Sequence, residues 1–378
     1  MNALGHRTSY AYDLAGQQTS RQDARGNRIT MAYDGAGRQV SLADELGLVT
    51  TYAYDAAGRN VSVADAAGKV RTTSYDAVGR STGTAYSDGS RVTLAYDAGG
   101  RPATMQDPGG TTTYVYSARG ELLGKTDPGA LVQSYAYDEA GNRVLLVDPD
   151  GGRATTTYDA LDRVFTVKNA QGRLATLGYD ADGRRTTLQH FAGSRVYRPD
   201  ALGRVVTQTE YDAAGGPVLT IVDAYDPGGR KTRQTRDGAA TTYVNDVAGR
   251  LTGQQKPGAA ATFVYDAVGN PTVKTQEGLL PATHIYDAAN RLTTIQDGPT
   301  RVTFAYDDAG NMTMEDRAGV QTMYGYDGEN RMRYTRLPDA SRVTMTYAGN
   351  GQRRTRENGS GTVTYVWDGT DYLGEVGS

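Results

Sequence analysis

The stretch Tyr54-Asp-Ala-Ala-Gly-Arg59, followed by a short segment and then Asp65-Ala-Ala-Gly68, is one copy of a unit that recurs along the whole chain. Aligned on its first residue, the unit returns every 20 or 21 residues, apart from one step of 26 residues between Pro199 and Tyr225. A fixed period of this length indicates a repeat architecture. The eighteen anchor positions are Tyr12, Tyr33, Tyr54, Tyr75, Tyr96, Tyr116, Tyr137, Tyr158, Tyr179, Pro199, Tyr225, Asn245, Tyr265, Tyr286, Tyr306, Tyr326, Tyr347 and Trp367.

The tiling predicts the domain organisation. We expect residues 1–378 to form one continuous array of about eighteen repeats, with no separate catalytic domain. The long step carries the extra residues Tyr211-Asp-Ala-Ala-Gly-Gly216 and predicts a loop expansion near 205–224.

Each unit contains a turn with a special backbone position. Four residues after the anchor stands Gly in 14 units and Asp162, Asn290, Asn330 or Asp371 in the others. Gly, Asn and Asp tolerate positive φ best, so this position is predicted to be left-handed. The Asp that follows the anchor is expected to cap the same turn through its side chain. The structural repeat positions predicted in this way include Tyr12, Asp13, Gly16, Tyr33, Asp34, Gly37, Tyr54, Asp55, Gly58, Tyr75, Asp76 and Gly79.

The segments between the turns alternate with a period of two. In Arg91-Val-Thr-Leu-Ala-Tyr96, the residues Val92, Leu94 and Tyr96 fall on one face. This period is typical of β-strands, and two strands per unit give about 36 strands in an all-β repeat fold. A single hairpin buries too little surface alone, so we expect each to stack on its neighbours with the Tyr residues in a ladder. Twist should coil so long a sheet into a spiral.

Composition excludes several classes of function. The chain has 48 Gly and 27 Tyr, no Cys and three His, so a thiolate zinc site or a His-rich metal centre is not expected. The net charge of −3 gives no general attraction to nucleic acid or to an anionic membrane. The apolar runs are too short to span a bilayer, and the amino terminus lacks the hydrophobic core of a signal peptide.

The pattern Tyr-Asp-x-x-Gly-Arg, a β segment and Asp-x-x-Gly closely resembles the YD repeat of the Rhs family. Similar repeats occur in insecticidal toxin complexes, bacterial wall-associated proteins and teneurins. The resemblance covers nearly the whole chain, and it implies a spiralling β-sheet that closes into a hollow shell. In bacterial members such shells enclose a variable carboxy-terminal toxin, and in teneurins they serve as extracellular adhesion modules.

The sequence departs from the family pattern in one way. The chain stops after Tyr365-Val-Trp-Asp-Gly-Thr-Asp-Tyr-Leu-Gly-Glu375, which resembles the last repeat before the family's core. The aspartate-dependent cleavage motifs of that core are not matched, so this activity is not carried over to any residue. The resemblance implies an enclosed carboxy-terminal toxin or further shell subunits as partners, and a secreted or bacterial cell-surface location.

The remaining chemistry has structural explanations. In Asp148-Pro-Asp-Gly-Gly152 two carboxylates are spaced as in a calcium loop, but the later ligand positions do not fit, and an ordinary turn is expected. The 34 Arg residues could bind nucleic acid or anionic glycans where they alternate with Tyr, yet pairing with the neighbouring Asp explains them better.

We therefore predict a non-enzymatic segment of a shell, with no cofactor and no nucleic-acid partner. The alternative is a carbohydrate-binding or cell-surface adhesion module. An exposed groove of Tyr and Arg would favour this second function.

Overall fold

The structure is a computed structural model that describes residues 1–377. Within these residues every regular element is a β-strand, and there are thirty-six of them, which confirms the all-β prediction. No helix in this part of the chain is long and apolar enough to cross a membrane.

The chain divides into two compact units. Unit 1 consists of Met1–Thr111 together with the described part of Thr262–Ser378, and unit 2 consists of Thr112–Ala261. We refer to residues 1–111 as the amino-terminal arm of unit 1 and to residues 262–377 as its carboxy-terminal arm.

The strands of the amino-terminal arm are β1 (Ser9–Tyr12), β2 (Gln18–Gln22), β3 (Arg28–Tyr33), β4 (Gln39–Ala43), β5 (Val49–Tyr54), β6 (Asn60–Ala64), β7 (Val70–Tyr75), β8 (Ser81–Tyr86), β9 (Arg91–Tyr96) and β10 (Pro102–Asp107). Next come β11 (Gly110–Tyr116), β12 (Leu122–Asp127), β13 (Leu131–Tyr137), β14 (Arg143–Val147), β15 (Arg153–Tyr158), β16 (Val164–Lys168), β17 (Leu174–Tyr179), β18 (Arg185–His190), β19 (Gly193–Pro199), β20 (Val205–Asp212), β21 (Pro217–Tyr225), β22 (Lys231–Arg236), β23 (Ala239–Asn245) and β24 (Leu251–Lys256). The last are β25 (Ala259–Tyr265), β26 (Pro271–Gln276), β27 (Ala282–Tyr286), β28 (Leu292–Asp297), β29 (Thr300–Tyr306), β30 (Met312–Arg317), β31 (Val320–Tyr326), β32 (Met332–Arg336), β33 (Arg342–Tyr347), β34 (Arg353–Asn358), β35 (Gly361–Asp368) and β36 (Asp371–Gly377).

Within each unit, consecutive strands pair antiparallel as a meander. Tyr54 of β5 pairs with Asn60 of β6, whereas Ala53 pairs with Ser62, so the register shifts by one residue next to the anchor Tyr. The same shift recurs at other anchors, for example between Ala32 and Tyr33. It belongs to a hairpin in which a tight turn is followed by a glycine-type bulge.

The meander places its two kinds of turn at opposite edges of the sheet. The turn after each anchor, such as Asp55–Gly58, lies at what we call the first-turn edge. The turn before the next repeat, such as Asp65–Gly68, lies at the second-turn edge.

The region 205–224 differs from the predicted loop expansion. Its extra residues lengthen β20 to eight and β21 to nine residues, and a turn joins the two strands at Asp212–Gly216. The extra residues are absorbed because Thr207, Thr209 and Glu210 continue the ladder with residues of β21. Backbone hydrogen bonding in a longer hairpin thus replaces an irregular loop.

Buried hydrophobic side chains are few among the described residues. Unit 1 buries Val92, Met105, Val302, Met345 and Val366, and unit 2 buries Tyr135, Leu146 and Tyr197. Most other strand residues are half-buried or alternate between half-buried and exposed, as in β3 and β5. The sheet is therefore stabilised mainly by contacts between adjacent repeats, as expected for repeat proteins.

Candidate functional site

The turn after each anchor is held by the Asp that follows the Tyr. Asp55 Oδ1 accepts hydrogen bonds from the backbone N–H groups of Ala57 and Arg59, both at 2.9 Å. Asp13 and Asp34 accept the equivalent pairs in their own repeats, and Asp76 accepts those of Val78 and Arg80. This arrangement is an Asx-type cap that satisfies backbone donors in the turn.

The fourth residue of the turn is left-handed at nearly all repeats. The φ angles are +80° at Gly16, Gly37 and Gly58 and +87° at Gly79. Asp162, Asn290 and Asn330 also have positive φ, at 57°, 64° and 61°. Asp371 was predicted to be left-handed and is not: it begins β36, and Gly369 takes the positive φ of 55° in a tighter turn between β35 and β36.

The Arg after the turn glycine forms an ion pair with the capping Asp. Arg59 Nε donates to Asp55 Oδ2 at 2.7 Å, and Arg38 Nε donates to Asp34 Oδ2 at 2.8 Å. The hydrogen bond from the Arg38 side chain, followed by that from the Arg38 backbone, lowers the pKa of Asp34 below its ordinary value of 3.8. The pairing predicted between Arg and the neighbouring Asp is therefore present. It recurs at Arg80–Asp76, Arg101–Asp97, Arg163–Asp159, Arg204–Asp200, Arg230–Asp226, Arg250–Asp246, Arg291–Asp287 and Arg331–Asp327.

The same Arg also reaches the next repeat. The guanidinium carbon of Arg38 lies 4.9 Å from the ring centroid of Tyr54, and Arg38 Nη1 donates to the backbone oxygen of Asp55 at 3.2 Å. Arg59 makes the same two contacts, with the Tyr75 ring and the backbone oxygen of Asp76. Stacking of a guanidinium on an aromatic face is a favourable cation–π contact.

The anchor Tyr completes the connection between repeats. Tyr54 Oη donates to the backbone oxygen of Gln39 at 2.8 Å, and Tyr33 and Tyr75 donate in the same way to Gln18 and Asn60. The first anchor, Tyr12, is 60% exposed. We call the combination of the capping Asp, the bridging Arg and the hydroxyl-donating Tyr the inter-repeat lock. The sequence analysis did not predict the bridge from Arg to the Tyr of the next repeat. The signal for it is the spacing of 20 or 21 residues between most anchors, which keeps the Arg of one repeat in step with the Tyr of the next.

A second set of contacts joins the two arms of unit 1. The second-turn edge of the amino-terminal arm lies against the first-turn edge of the carboxy-terminal arm, and we call this contact the seam. Near its start, Arg25 forms an ion pair with Asp266 and donates to the backbone oxygen of Ala288 at 3.1 Å. Further along, Lys69 Nζ donates to the backbone oxygen of Asp327 at 3.0 Å and to Asn330 Oδ1 at 2.8 Å.

The seam is most buried where Asp107 meets Arg354. The guanidinium binds both carboxylate oxygens at 2.6 and 2.9 Å, and the Asp107 and Arg354 side chains are 1% and 12% exposed. The backbone N–H of Gly349 also donates to Asp107 Oδ2 at 2.8 Å. A Cβ atom on Gly349 would lie 2.7 Å from a methyl carbon of Val92, so glycine is needed for this close approach.

The segment spaced like a calcium loop is a capped turn. Asp148 caps its turn by accepting from the backbone N–H groups of Asp150 and Gly152, as an ordinary turn would. In residues 1–377 no group of three or more His, Asp or Glu side chains is placed to hold a metal ion.

Comparison with known proteins gives a consistent result. The family model described as RHS Repeat matches residues 33–70, 75–112, 116–153 and 158–196, and the model described as Teneurin YD-shell matches residues 243–355. A search of curated protein sequences finds no match to the chain.

Solved structures with a similar fold come from toxin complexes. The chain is similar to a chain in the crystal structure of TcdB2-TccC3-TEV, with 15% identity and a TM-score of 0.72 over 97% of this chain. It is also similar to a chain of the Photorhabdus luminescens Tc holotoxin pore, with 14% identity and a TM-score of 0.73 over 98% of this chain. In both cases it spans 23% of the other chain's length. The two family models together match more than half of the chain, and the chain therefore belongs to the Rhs/YD-repeat family.

Proposed function

We propose that the chain is a length of wall in a YD-repeat shell that encloses or presents a toxin or another cargo, and that it has no catalytic activity of its own. The observation that carries this proposal is the fold shared with the TcdB2-TccC3-TEV structure over 97% of the chain. On this proposal the partners are an enclosed carboxy-terminal toxin or further shell subunits. The protein then works outside the cell or at a bacterial surface.

The contacts that the repeated side chains make support a role as a wall. Asp55 and Arg59 direct their polar groups at each other, and Arg59 and Tyr75 also donate to the backbone of adjacent repeats. Groups engaged in this way make the sheet continuous and rigid from one repeat to the next. A wall of this kind can separate a cargo from the surrounding water without a thick hydrophobic core.

The carbohydrate-binding alternative is less well supported. It requires Tyr and Arg side chains that are available to a ligand, but Arg38 covers a face of the Tyr54 ring, and Tyr54 Oη donates to Gln39. Saturable binding of a defined glycan by the purified chain would favour this alternative over enclosure.

A protection experiment on the full gene product tests the enclosing function. We expect the cargo segment to resist trypsin in the wild type and to be cleaved faster when Arg38→Ala and Arg59→Ala remove two bridging arginines. The matched control combines Arg7→Ala with Arg71→Ala, since both residues are exposed. Equal cleavage of the cargo in wild type, control and variant would contradict enclosure by this wall.

A further inference from the structure

Each arm of unit 1 has a first-turn edge and a second-turn edge. One edge of each kind is covered in the seam, and the other edge of each kind is exposed. In the carboxy-terminal arm, the first turns at 267–269, 288–290 and 328–330 are half-buried, and the seam lies over them. In the amino-terminal arm, the equivalent turns at 14–16, 35–37, 56–58, 77–79 and 98–100 are exposed. The chain thus shows how a second-turn edge covers a first-turn edge, and it leaves one first-turn edge bare.

The bare first-turn edge carries apolar side chains at its tips. Val78 is 76% exposed and Leu14 is fully exposed. Both belong to turns whose capping Asp and left-handed Gly already hold the backbone in place. These side chains project from rigid turns, which lowers the entropy cost of burying them against a partner.

The opposite edge of unit 1 is bare as well. The second turns of the carboxy-terminal arm are exposed at 277–280, 317–320 and 337–341. Leu279, Leu280 and Val320 are 62%, 65% and 56% exposed there. This edge therefore presents exposed apolar side chains, whereas the second-turn edge within the seam makes its contacts through charged side chains such as Arg25, Lys69 and Asp107.

A cavity of about 370 Å³ opens between two of these bare second turns. Its lining includes Val320, Met323, Leu337 and Pro338 together with the charged residue Arg336. Arg317 lies at the start of the first of these two turns, with its side chain 62% exposed. It can reach turn carbonyl oxygens of a partner in the way that Arg25 reaches Ala288 in the seam.

We propose that a second copy of this chain covers these edges, with the second-turn edge of one copy on the first-turn edge of the other. Val78 of one copy then packs at the cavity beside Leu337 of the next, and Leu14, three repeats away along the edge, packs beside Leu279 and Leu280. The seam supports a second copy as the partner, because it already places a second-turn edge against a first-turn edge within one chain. An apolar surface that fits a pocket elsewhere on the same molecule gives a heterologous contact that can repeat head to tail. This proposal is independent of whether the wall encloses a cargo.

Sedimentation velocity of the full chain over a range of concentrations tests the proposal. We expect the wild type to form dimers and longer assemblies as concentration rises. One variant, Leu14→Asp with Val78→Asp, blocks the first-turn edge, and another, Val320→Asp with Leu337→Asp, blocks the second-turn edge. Each variant alone should sediment as a monomer, because neither retains both edges.

Mixing the two variants gives the sharpest outcome. Each still has one intact edge, so the mixture should form one-to-one dimers and nothing longer. The matched control is Ile285→Asp, which makes the same chemical change at a 55% exposed strand residue away from both edges, and it should associate like the wild type. Circular dichroism checks that all variants keep their β structure. A wild type that stays monomeric, or variants that associate as the wild type does, would overturn the proposal.

Discussion

Neighbouring repeats and the two arms of unit 1 are joined in different ways. The inter-repeat lock connects residues about one repeat apart, as from Arg38 to Tyr54, and most of its members are partly exposed. The seam connects residues 247 positions apart, as from Asp107 to Arg354, and that pair is nearly buried. The lock is made by residues that recur in most units, and the seam by residues that occur once. Contacts of one repeated kind thus connect neighbouring repeats, whereas a few contacts that do not repeat join the two arms.

The largest expected effect comes from breaking the buried end of the seam. Arg354→Ala leaves the Asp107 carboxylate, 1% exposed, without its cation. Removing one partner of a buried ion pair costs about 3 to 5 kcal/mol, and we expect a loss of unfolding free energy of this order. Urea denaturation followed by circular dichroism measures it.

The matched control is an arginine of the lock. Arg38→Ala removes a pair whose side chains are 33% and 24% exposed, and exposed pairs of this kind contribute less than about 1 kcal/mol. If Arg38→Ala and Arg354→Ala shift the urea midpoint equally, the distinction between lock and seam is wrong.

The left-handed glycine of the turn that the lock's Asp caps gives the next largest effect. Gly58 has a φ of +80°, and a β-branched residue forced into that region costs about 1 to 3 kcal/mol. Gly58→Val should therefore lower the unfolding midpoint clearly, and Gly58→Asn should lower it much less. Thermal unfolding of both variants checks this, and equal shifts would argue against a backbone origin of the effect.

A smaller effect is expected from the anchor hydroxyl. Tyr54→Phe removes the hydrogen bond to the Gln39 backbone oxygen and keeps the ring under Arg38, so the loss should be about 0.5 to 1.5 kcal/mol. Tyr10→Phe is the control, because Tyr10 is 53% exposed on the edge strand β1. A loss in the control as large as that in Tyr54→Phe would show that the bond contributes nothing specific.

The mildest expected effect is the response of the lock to acid. The pKa values of Asp34, Asp97, Asp159 and Asp200 are lowered below 3.8, with the side-chain hydrogen bond from the paired Arg as the first cause. A lowered folded-state pKa stabilises the fold above the unfolded pKa and loses this contribution as pH falls through the folded value. The melting temperature should therefore fall when the pH is lowered below about 3.8. Replacing the four residues by Asn should flatten the drop, and an unchanged pH profile would contradict the assignment.

The sequence predicts the lock better than it predicts the seam. Gly58 and Asp55 reveal a capped left-handed turn because their conformational preferences are local and repeated. Asp371 misled the prediction because the backbone turns two residues earlier, at Gly369. Near 205–224 the extra residues continue the strand ladder, which depends on pairing that composition does not reveal. Asp107 and Arg354 carry no sequence signal, since their meeting depends on how the edges of unit 1 lie against each other.

The distance between spin labels across the seam tests the central distinction most directly. The chain has no Cys, so Pro108→Cys with Asn350→Cys labels two exposed residues beside the contact between Asp107 and Gly349. Ala57→Cys with Val78→Cys labels two successive first turns of the amino-terminal arm as a reference. We expect single narrow distance distributions for both pairs in the wild-type background. Arg354→Ala should broaden only the pair across the seam, because the lock still holds the arm. Broadening of both pairs together, or of neither, would contradict the account.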